Sequence, residues 1–228
     1  MTPREFSDRL TKRARKANVV LDSQAAEALG AYYRLLEFWN EKINLTAFSL
    51  KDAPDDAIDR LLIEPLVAAR HLRGAHGHSH GPQLGPHPRL LDIGSGGGSP
   101  AVPLKIAIPS LHLLMVESKT RKSAFLREAV RHLNLADTSV ETTRAEDLLT
   151  RAELHESQDL VSIRAVRIEQ KLLTSVQAFL RLGGRILLFR GSSATDTPPL
   201  VAPPLVYEAT WTLVESLRSR LVVLRKML

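Results

Sequence analysis

The stretch Arg89-Leu90-Leu91-Asp92-Ile93-Gly94-Ser95-Gly96-Gly97-Gly98-Ser99-Pro100 decides the fold. An apolar run ends in Asp92 and breaks at once into a glycine-rich loop, which predicts a strand feeding a ligand-binding turn and then a helix. Glycine lacks a Cβ, so the backbone can take positive φ and approach a ligand closely. The helix that follows turns its unpaired N–H groups toward the same space.

What the loop lacks narrows the ligand. A phosphate-gripping loop needs Lys and then Ser or Thr after its last glycine, whereas Gly98 is followed by Ser99-Pro100-Ala101. A dinucleotide loop needs a third glycine where Ser99 stands, so that helix and strand can pack closely. The remaining pattern is G-x-G-x-G with an acidic residue two positions ahead, as in the S-adenosylmethionine sites of class I methyltransferases. Gly94, Gly96 and Gly98 then form the cradle, and Asp92 faces the methionine end of the cofactor.

Composition bounds the rest. A chain of 228 residues, 44% hydrophobic and 25% charged, suits one main α/β domain with a smaller appendage. No apolar run approaches the ~20 residues that span a bilayer, and Met1 to Glu5 opens like a capped helix rather than a secretory signal. The expectation is a cytoplasmic protein with no membrane partner. With no cysteine, disulfides, thiolate metal sites and cysteine nucleophiles are excluded. Lys and Arg number 31 against 25 Asp and Glu, which favours an anionic partner.

Three segments follow along the chain. Residues 1–72 read as an N-terminal helical cap. Thr2, Pro3 and Glu5 form a capping-box signature. A second helix runs from about Asp22 to Lys42 on the stripe Leu29, Tyr32 or Tyr33, Leu36, Trp39 and Ile43, and a third covers Asp55 to Leu72. Trp39 reads as core and Asn44 as a helix C-cap. Residues 73–88 are rich in Gly, Pro and His and read as an exposed loop. His76, His78 and His80 alternate there without the rigid supporting shell that a metal site needs, so no metal is expected.

Residues 89–228 read as the methyltransferase domain. Strands are expected at Arg89 to Ile93, Leu111 to Glu117, Val140 to Arg144, Asp159 to Ala165 and Arg185 to Phe189. Between them fall helices at Ser99 to Ile108, Lys119 to Leu133, a short one after Asp147, and Ile168 to Leu182 capped by Gly183-Gly184. Such alternation builds a doubly wound, mostly parallel Rossmann-like sheet. Val206 to Val214 and Arg220 to Arg225 close it as an antiparallel hairpin.

In open α/β sheets ligands bind beyond the carboxyl ends of the strands. Strand two ends in Glu117, 23 residues after Gly94, where a carboxylate can accept hydrogen bonds from both ribose hydroxyls. Strand three ends near Ala145-Glu146, beside an adenine, and strand four at Arg164-Ala165, facing the transferable methyl. Strand four carries no Asn/Asp-Pro-Pro-aromatic loop, which disfavours exocyclic amines as acceptors, and C5 methylation by a thiolate adduct is closed without cysteine. A ring nitrogen such as guanine N7 has an in-plane lone pair and needs only alignment and exclusion of water.

Leu36-Glu37-Phe38-Trp39-Asn40-Glu41-Lys42-Ile43-Asn44-Leu45-Thr46, the glycine loop with Val102-Pro103-Leu104, Glu117-Ser118-x-x-Arg121-Lys122-x-x-Phe125-Leu126, and Ser162-Ile163-Arg164-Ala165 together resemble the RsmG (GidB) family. The likeness covers about Ala26 to Gly191. It implies methylation of guanine N7 in 16S ribosomal RNA by S-adenosylmethionine, with cofactor contacts at Gly94, Ser99, Ala145, Glu146 and Arg164. Arg164 positions the reactants, and no general base is needed. The partner is 16S rRNA or the 30S subunit or its precursor, and the enzyme is expected to be a monomer. The third helix departs from the family pattern Arg-His-x-x-Asp-Ser, reading Arg60-Leu61-Leu62-Ile63-Glu64-Pro65. Strand five ends in Arg190-Gly191 where Lys-Gly is common, and strand four reads Ser-Ile-Arg for Ile-Ser-Arg.

Basic residues crowd the first helix and the helix after Glu117. Arg60, Lys119, Arg121, Lys122 and Arg190 are the candidates for the RNA side. Three alternatives stand beside this reading: a related methyltransferase with another RNA target, a small-molecule methyltransferase using the helical cap as a lid, and a SAM-binding regulatory module without catalysis.

Overall fold

A computed structural model describes residues 1–74, 84–164, 169–191 and 201–228; the triplet His76, His78 and His80 lies outside them. Helix α1 (Pro3–Lys16) starts at Thr2, whose hydroxyl accepts from Glu5 N while Glu5 reaches back to Thr2 N, the expected capping box. Helix α2 (Ser23–Asn40) is capped by Asp22. Its chain exit is held by Asn40 rather than Asn44: Asn40 Oδ1 accepts from Leu45 N and Thr46 N at 2.8 and 2.9 Å, and Asn44 is exposed. The side chain inside the last turn reaches the next free amides, whereas one four residues on has already left the helix.

The third helix is continuous over the expected range but changes pitch. It comprises α3 (Asp55–Ile58), a π-turn (Asp59–Ile63) and α4 (Glu64–Leu72). Nothing in the apolar spacing marks that turn.

Seven strands form one sheet in the order β3-β2-β1-β4-β5-β7-β6, with β1 (Arg89–Ile93), β2 (His112–Val116), β3 (Thr138–Glu141), β4 (Gln158–Arg164) and β5 (Leu180–Arg190) parallel. The last two, β6 (Leu205–Val214) and β7 (Ser219–Lys226), add an antiparallel hairpin against β5. Helices α5 (Ala101–Ala107), α6 (Thr120–His132) and α7 (Gln170–Val176) complete the alternation. Because side chains alternate across a strand, Leu90, Leu160, Leu187 and Val223 pack toward the helices α1 to α6. Leu91, Val161, Ile186 and Leu224 pack on the opposite face with α7. Asp92, Ser162 and Arg164 therefore share the face covered by the N-terminal helices.

Three expected boundaries move, the first being strand five, which begins at Leu180 instead of Arg185. Strand three begins at Thr138 and ends at Glu141, earlier than Val140 to Arg144, because its register is set by pairing with Leu113 to Val116 rather than by its own mixed polar pattern. The expected helix to Leu182 stops at Val176, followed by a single 3-10 turn (Gln177–Phe179); its expected start, Ile168, lies outside the described residues. Gly183-Gly184 are not a helix cap. Pairing passes from Gln158 with Leu180 to Leu160 with Arg185, so residues 181–184 loop out of β5. Gly183 sits there at φ +78°, and a Cβ on Gly184 would fall 2.9 Å from Arg181 O. The sequence signal was a real turn, but buried Phe179 and Leu180 draw the chain into the sheet before it.

Among the described residues no helix is long and apolar enough to cross a membrane.

Candidate active site

The glycine loop is folded back over the end of β2. Gly94 N and Ser95 N both donate to Val116 O at 2.9 and 3.0 Å, and Gly98 N donates to Ser95 O at 2.7 Å. Gly94, Gly96 and Gly98 all take positive φ. Two of these positions have distinct reasons to be glycine. At Gly98 (φ +85°) a Cβ would meet Val102 Cγ2 at 3.0 Å, so the loop lies flat on α5. At Gly96 (φ +51°) only Gly94 O lies within 4 Å, so this stretch of backbone faces open space. The N-terminal helices clamp the loop from behind: Tyr32, wholly buried on α2, donates its hydroxyl to Gly97 O at 2.5 Å. Burial pushes that phenol far above its ordinary range, so it stays a donor.

Glu117 follows β2 and grips the loop. Its Oε2 accepts from Gly96 N at 3.0 Å and Oε1 from Lys119 N at 2.8 Å. Asp92, opposite Ser162 in the β1–β4 register, accepts from Ser162 Oγ at 2.5 Å through Oδ1, while its buried Oδ2 has no partner among the described residues. Burial raises the Asp92 carboxyl above the usual range, against the opposing pull of Ser162, Ser95 and Arg164.

The sign of that shift has a consequence. A carboxyl raised in the fold stabilises fully only below the unfolded carboxyl range and loses this contribution as pH rises through its folded value. Asp92→Asn, neutral throughout, is therefore expected to melt at a higher temperature than the parent at neutral pH while binding S-adenosylmethionine more weakly. Thermal denaturation and calorimetry on the same sample check both halves.

Arg164 ends β4 almost fully buried. Nη1 donates to Ser99 Oγ and to Arg60 O, each at 2.8 Å, and Nη2 to Glu64 Oε2 at 2.5 Å; the guanidinium lies 4.7 Å from the Phe189 ring centre. Ser99 Oγ also donates to Leu61 O at 2.7 Å. Burial pulls the arginine down to about 10, which still leaves it a cation at neutral pH.

Asp92, Gly94, Gly96, Gly98, Ser99, Glu117 and Arg164 thus meet at the carboxyl ends of β1, β2 and β4. Ala145 and exposed Glu146 lie beyond β3, the next strand outward, with Ala145 packed on the core of that side. The RNA candidates fall into two groups. Lys119 and Arg121 are exposed and Lys122 half-buried at the start of α6, beside Glu117. Arg60 lies against Gly191, and Arg190 pairs in register with Arg220 on β7. On α1, Arg9 and Arg13 are occupied internally, Arg9 by Asp52 O and Ala53 O and Arg13 by Asp55 and Asp59.

Residues 25–198 match the family described as GidB, rRNA small subunit methyltransferase G. The chain belongs to that family. A ribosomal RNA small subunit methyltransferase G from Roseiflexus castenholzii is 36% identical over 193 residues, covering 83% of this chain and 75% of the relative. One from Geobacter sp. (strain M21) is 34% identical over 187 residues, covering 82% and 78%. The fold resembles the crystal structure of an rRNA methylase from Streptococcus thermophilus, with a TM-score of 0.51, 12% identity, and 72% of this chain and 96% of that one covered.

The family cofactor fits the residues present. Gly96 borders open space, Asp92 Oδ2 is buried and unpartnered, and the Glu117 carboxylate holds two amides at the rim of the same loop. Gly96→Val would add a β-branched side chain to that space at a φ costing about 1–2 kcal/mol, and is expected to weaken S-adenosylmethionine at least tenfold by calorimetry.

Sequence reasoning did not single out Glu64, the buried partner of Arg60 and Arg164, or Tyr32, the clamp of the loop. Glu64 had a usable signal, since it stands four residues after Arg60 across the apolar run Leu61-Leu62-Ile63, the spacing of a helical ion pair. Tyr32 had none, because it sits within an ordinary apolar stripe.

Proposed function

We propose that this chain transfers the methyl group of S-adenosylmethionine to N7 of a guanine in 16S ribosomal RNA, as naked RNA or in a 30S particle or its precursor, working as a cytoplasmic monomer. When bound, the cofactor supplies an electrophilic methyl on a sulfonium. Glu117 and the loop amides hold the ribose side, Asp92 faces the methionine end, Ala145 and Glu146 border the adenine, and Arg164 fixes the edge of the pocket where donor and acceptor meet.

One observation carries the choice of acceptor. Among the described residues around Arg164 the carboxylates have other work in this reading: Glu64 is occupied by Arg60 and Arg164, and Asp92, buried on Ser162, faces the methionine end of the cofactor rather than the acceptor. An amine or hydroxyl acceptor must shed a proton during transfer, whereas guanine N7 has none to lose. Alignment and exclusion of water then supply the rate. Labelled S-adenosylmethionine offered with naked rRNA, 30S particles and a set of small metabolites tests this reading. Label in RNA supports it, and label confined to metabolites refutes it.

The basic start of α6 is the phosphate-binding face in this reading. Each lost phosphate contact lowers the log–log salt slope by ~0.7–0.9, so Arg121→Glu with Lys122→Glu is expected to flatten the slope of RNA binding by about 1.4–1.8. Arg127 is left out because it already donates to Val140 O and Thr142 Oγ1. An unchanged slope in a filter-binding titration would move the RNA to another face.

A further inference from the structure

Glu64 is fully buried, and its carboxylate is shared by arginines from different elements. Both oxygens accept from Nη1 of Arg60 at 2.9 Å, one turn earlier, and Oε2 also accepts from Nη2 of Arg164 at 2.5 Å. The π-turn Asp59–Ile63 ends immediately before Glu64. Turns of that kind recur at functional sites, where they re-aim side chains along a helix.

The two arginines serve different sides. Arg164 touches the end of the glycine loop through Ser99 Oγ. Arg60 lies at the exit of β5, its Nη2 3.4 Å from where a Cβ on Gly191 would stand, and its side chain is 19% exposed. A single carboxylate therefore fixes the spacing between a cation on the donor side and a cation open to the acceptor side. The cluster of two guanidiniums and one carboxylate keeps one net positive charge, which on the Arg60 side suits a hydrogen-bond-accepting oxygen of RNA, a phosphate or a base carbonyl.

We propose that Glu64 is a positioning residue of the methyl-transfer site, holding Arg164 against Ser99 and Arg60 toward the acceptor. This rests on the methyltransferase reading above. Glutamine at position 64 would remove the charge and leave a single oxygen for both arginines while turning an amide donor toward a guanidinium, so neither arginine is held as firmly. Aspartate would keep the charge with a reach one methylene shorter, enough for one arginine.

The test uses the full chain with Glu64→Gln and Glu64→Asp. For Glu64→Gln, kcat on rRNA is expected to fall ~10²-fold, the scale set by misplacement of ~1 Å, while S-adenosylmethionine affinity by calorimetry, still carried by Glu117, Asp92 and the loop amides, falls no more than about fivefold. Glu64→Asp is expected to recover part of that rate. In the free protein, nitrogen NMR is expected to resolve separate, slowly exchanging Nη–H signals of Arg164 in the parent and to find them averaged in Glu64→Gln. Unchanged kcat, a proportional fall of kcat and cofactor affinity, or Arg164 signals that stay resolved would each overturn the proposal. If Glu64→Gln does not fold, the same three readings on Glu64→Asp decide. A parent protein that binds cofactor but leaves rRNA unmethylated would refute the proposed function, and the NMR comparison would still decide the role of Glu64.

Discussion

Arg164→Lys is expected to leave a folded protein whose methyl-transfer rate is down by ~10²-fold and whose pH–rate profile is unchanged in shape. The guanidinium satisfies three anchors on three elements at once: Ser99 Oγ at the end of the glycine loop, Arg60 O in the π-turn and Glu64 Oε2 at the start of α4. A lysine keeps the charge but presents a compact point donor on a flexible stem instead of a planar fork. Drawn to Glu64, it abandons Ser99. The loop end and the tip of β4 then lose their common reference, and a displacement of ~1 Å costs ~10²-fold. The pH profile stays because Arg164 removes no proton: held at about 10 by burial, it is a cation throughout the neutral range. Single-turnover rates from pH 6 to 9 check both halves, and a profile displaced by a unit or more would make Arg164 a proton-transfer group after all.

Glu117→Ala is expected to weaken S-adenosylmethionine by ten- to a hundredfold or more. In the proposed cofactor site Glu117 accepts from the ribose, and one charge-assisted hydrogen bond at ~1.5–3 kcal/mol corresponds to about ten- to a hundredfold at 1.4 kcal/mol per tenfold. A second loss adds to it. Glu117 also accepts from Gly96 N and Lys119 N, so its removal frees the loop before any ligand arrives and raises the ordering cost of binding. Glu117→Gln, which keeps one acceptor, is expected to fall between the parent and the alanine variant. Calorimetry at fixed salt measures all three, and equal affinities would remove Glu117 from the cofactor site.

How much of this was legible in the sequence follows from where each signal resides. The strand-loop-helix at residues 89–107 and the carboxylate after β2 were legible because their placement depends on local geometry: positive φ at glycine, and the carboxyl end of the next strand. The antiparallel hairpin showed in two apolar runs joined by a short polar link. The π-turn left no trace, since one extra residue in an apolar helix leaves its stripe nearly intact. Gly183-Gly184 carry a signal that a helix cap shares, because a looped-out strand residue and a cap both use positive φ at glycine, and only pairing with Gln158 to Leu160 separates them. Glu64 and Tyr32 act across 100 and 65 residues of chain. Contacts of that range are set by packing of the N-terminal helices on the sheet, which no local pattern encodes. The basic residues show the same limit, for Arg9, Arg13 and Lys119 look alike in the sequence, yet the first two are bound within the protein.

Borohydride reduction and aniline cleavage of small-subunit rRNA, after incubation with the protein and S-adenosylmethionine, report 7-methylguanosine directly as a strand break. The expected result is one enzyme-dependent break at a guanine, formed ~10²-fold more slowly with Arg164→Lys than with the parent protein. Intact RNA, with mass spectrometry placing the transferred methyl on another atom or on a small molecule, would contradict guanine N7 as the acceptor.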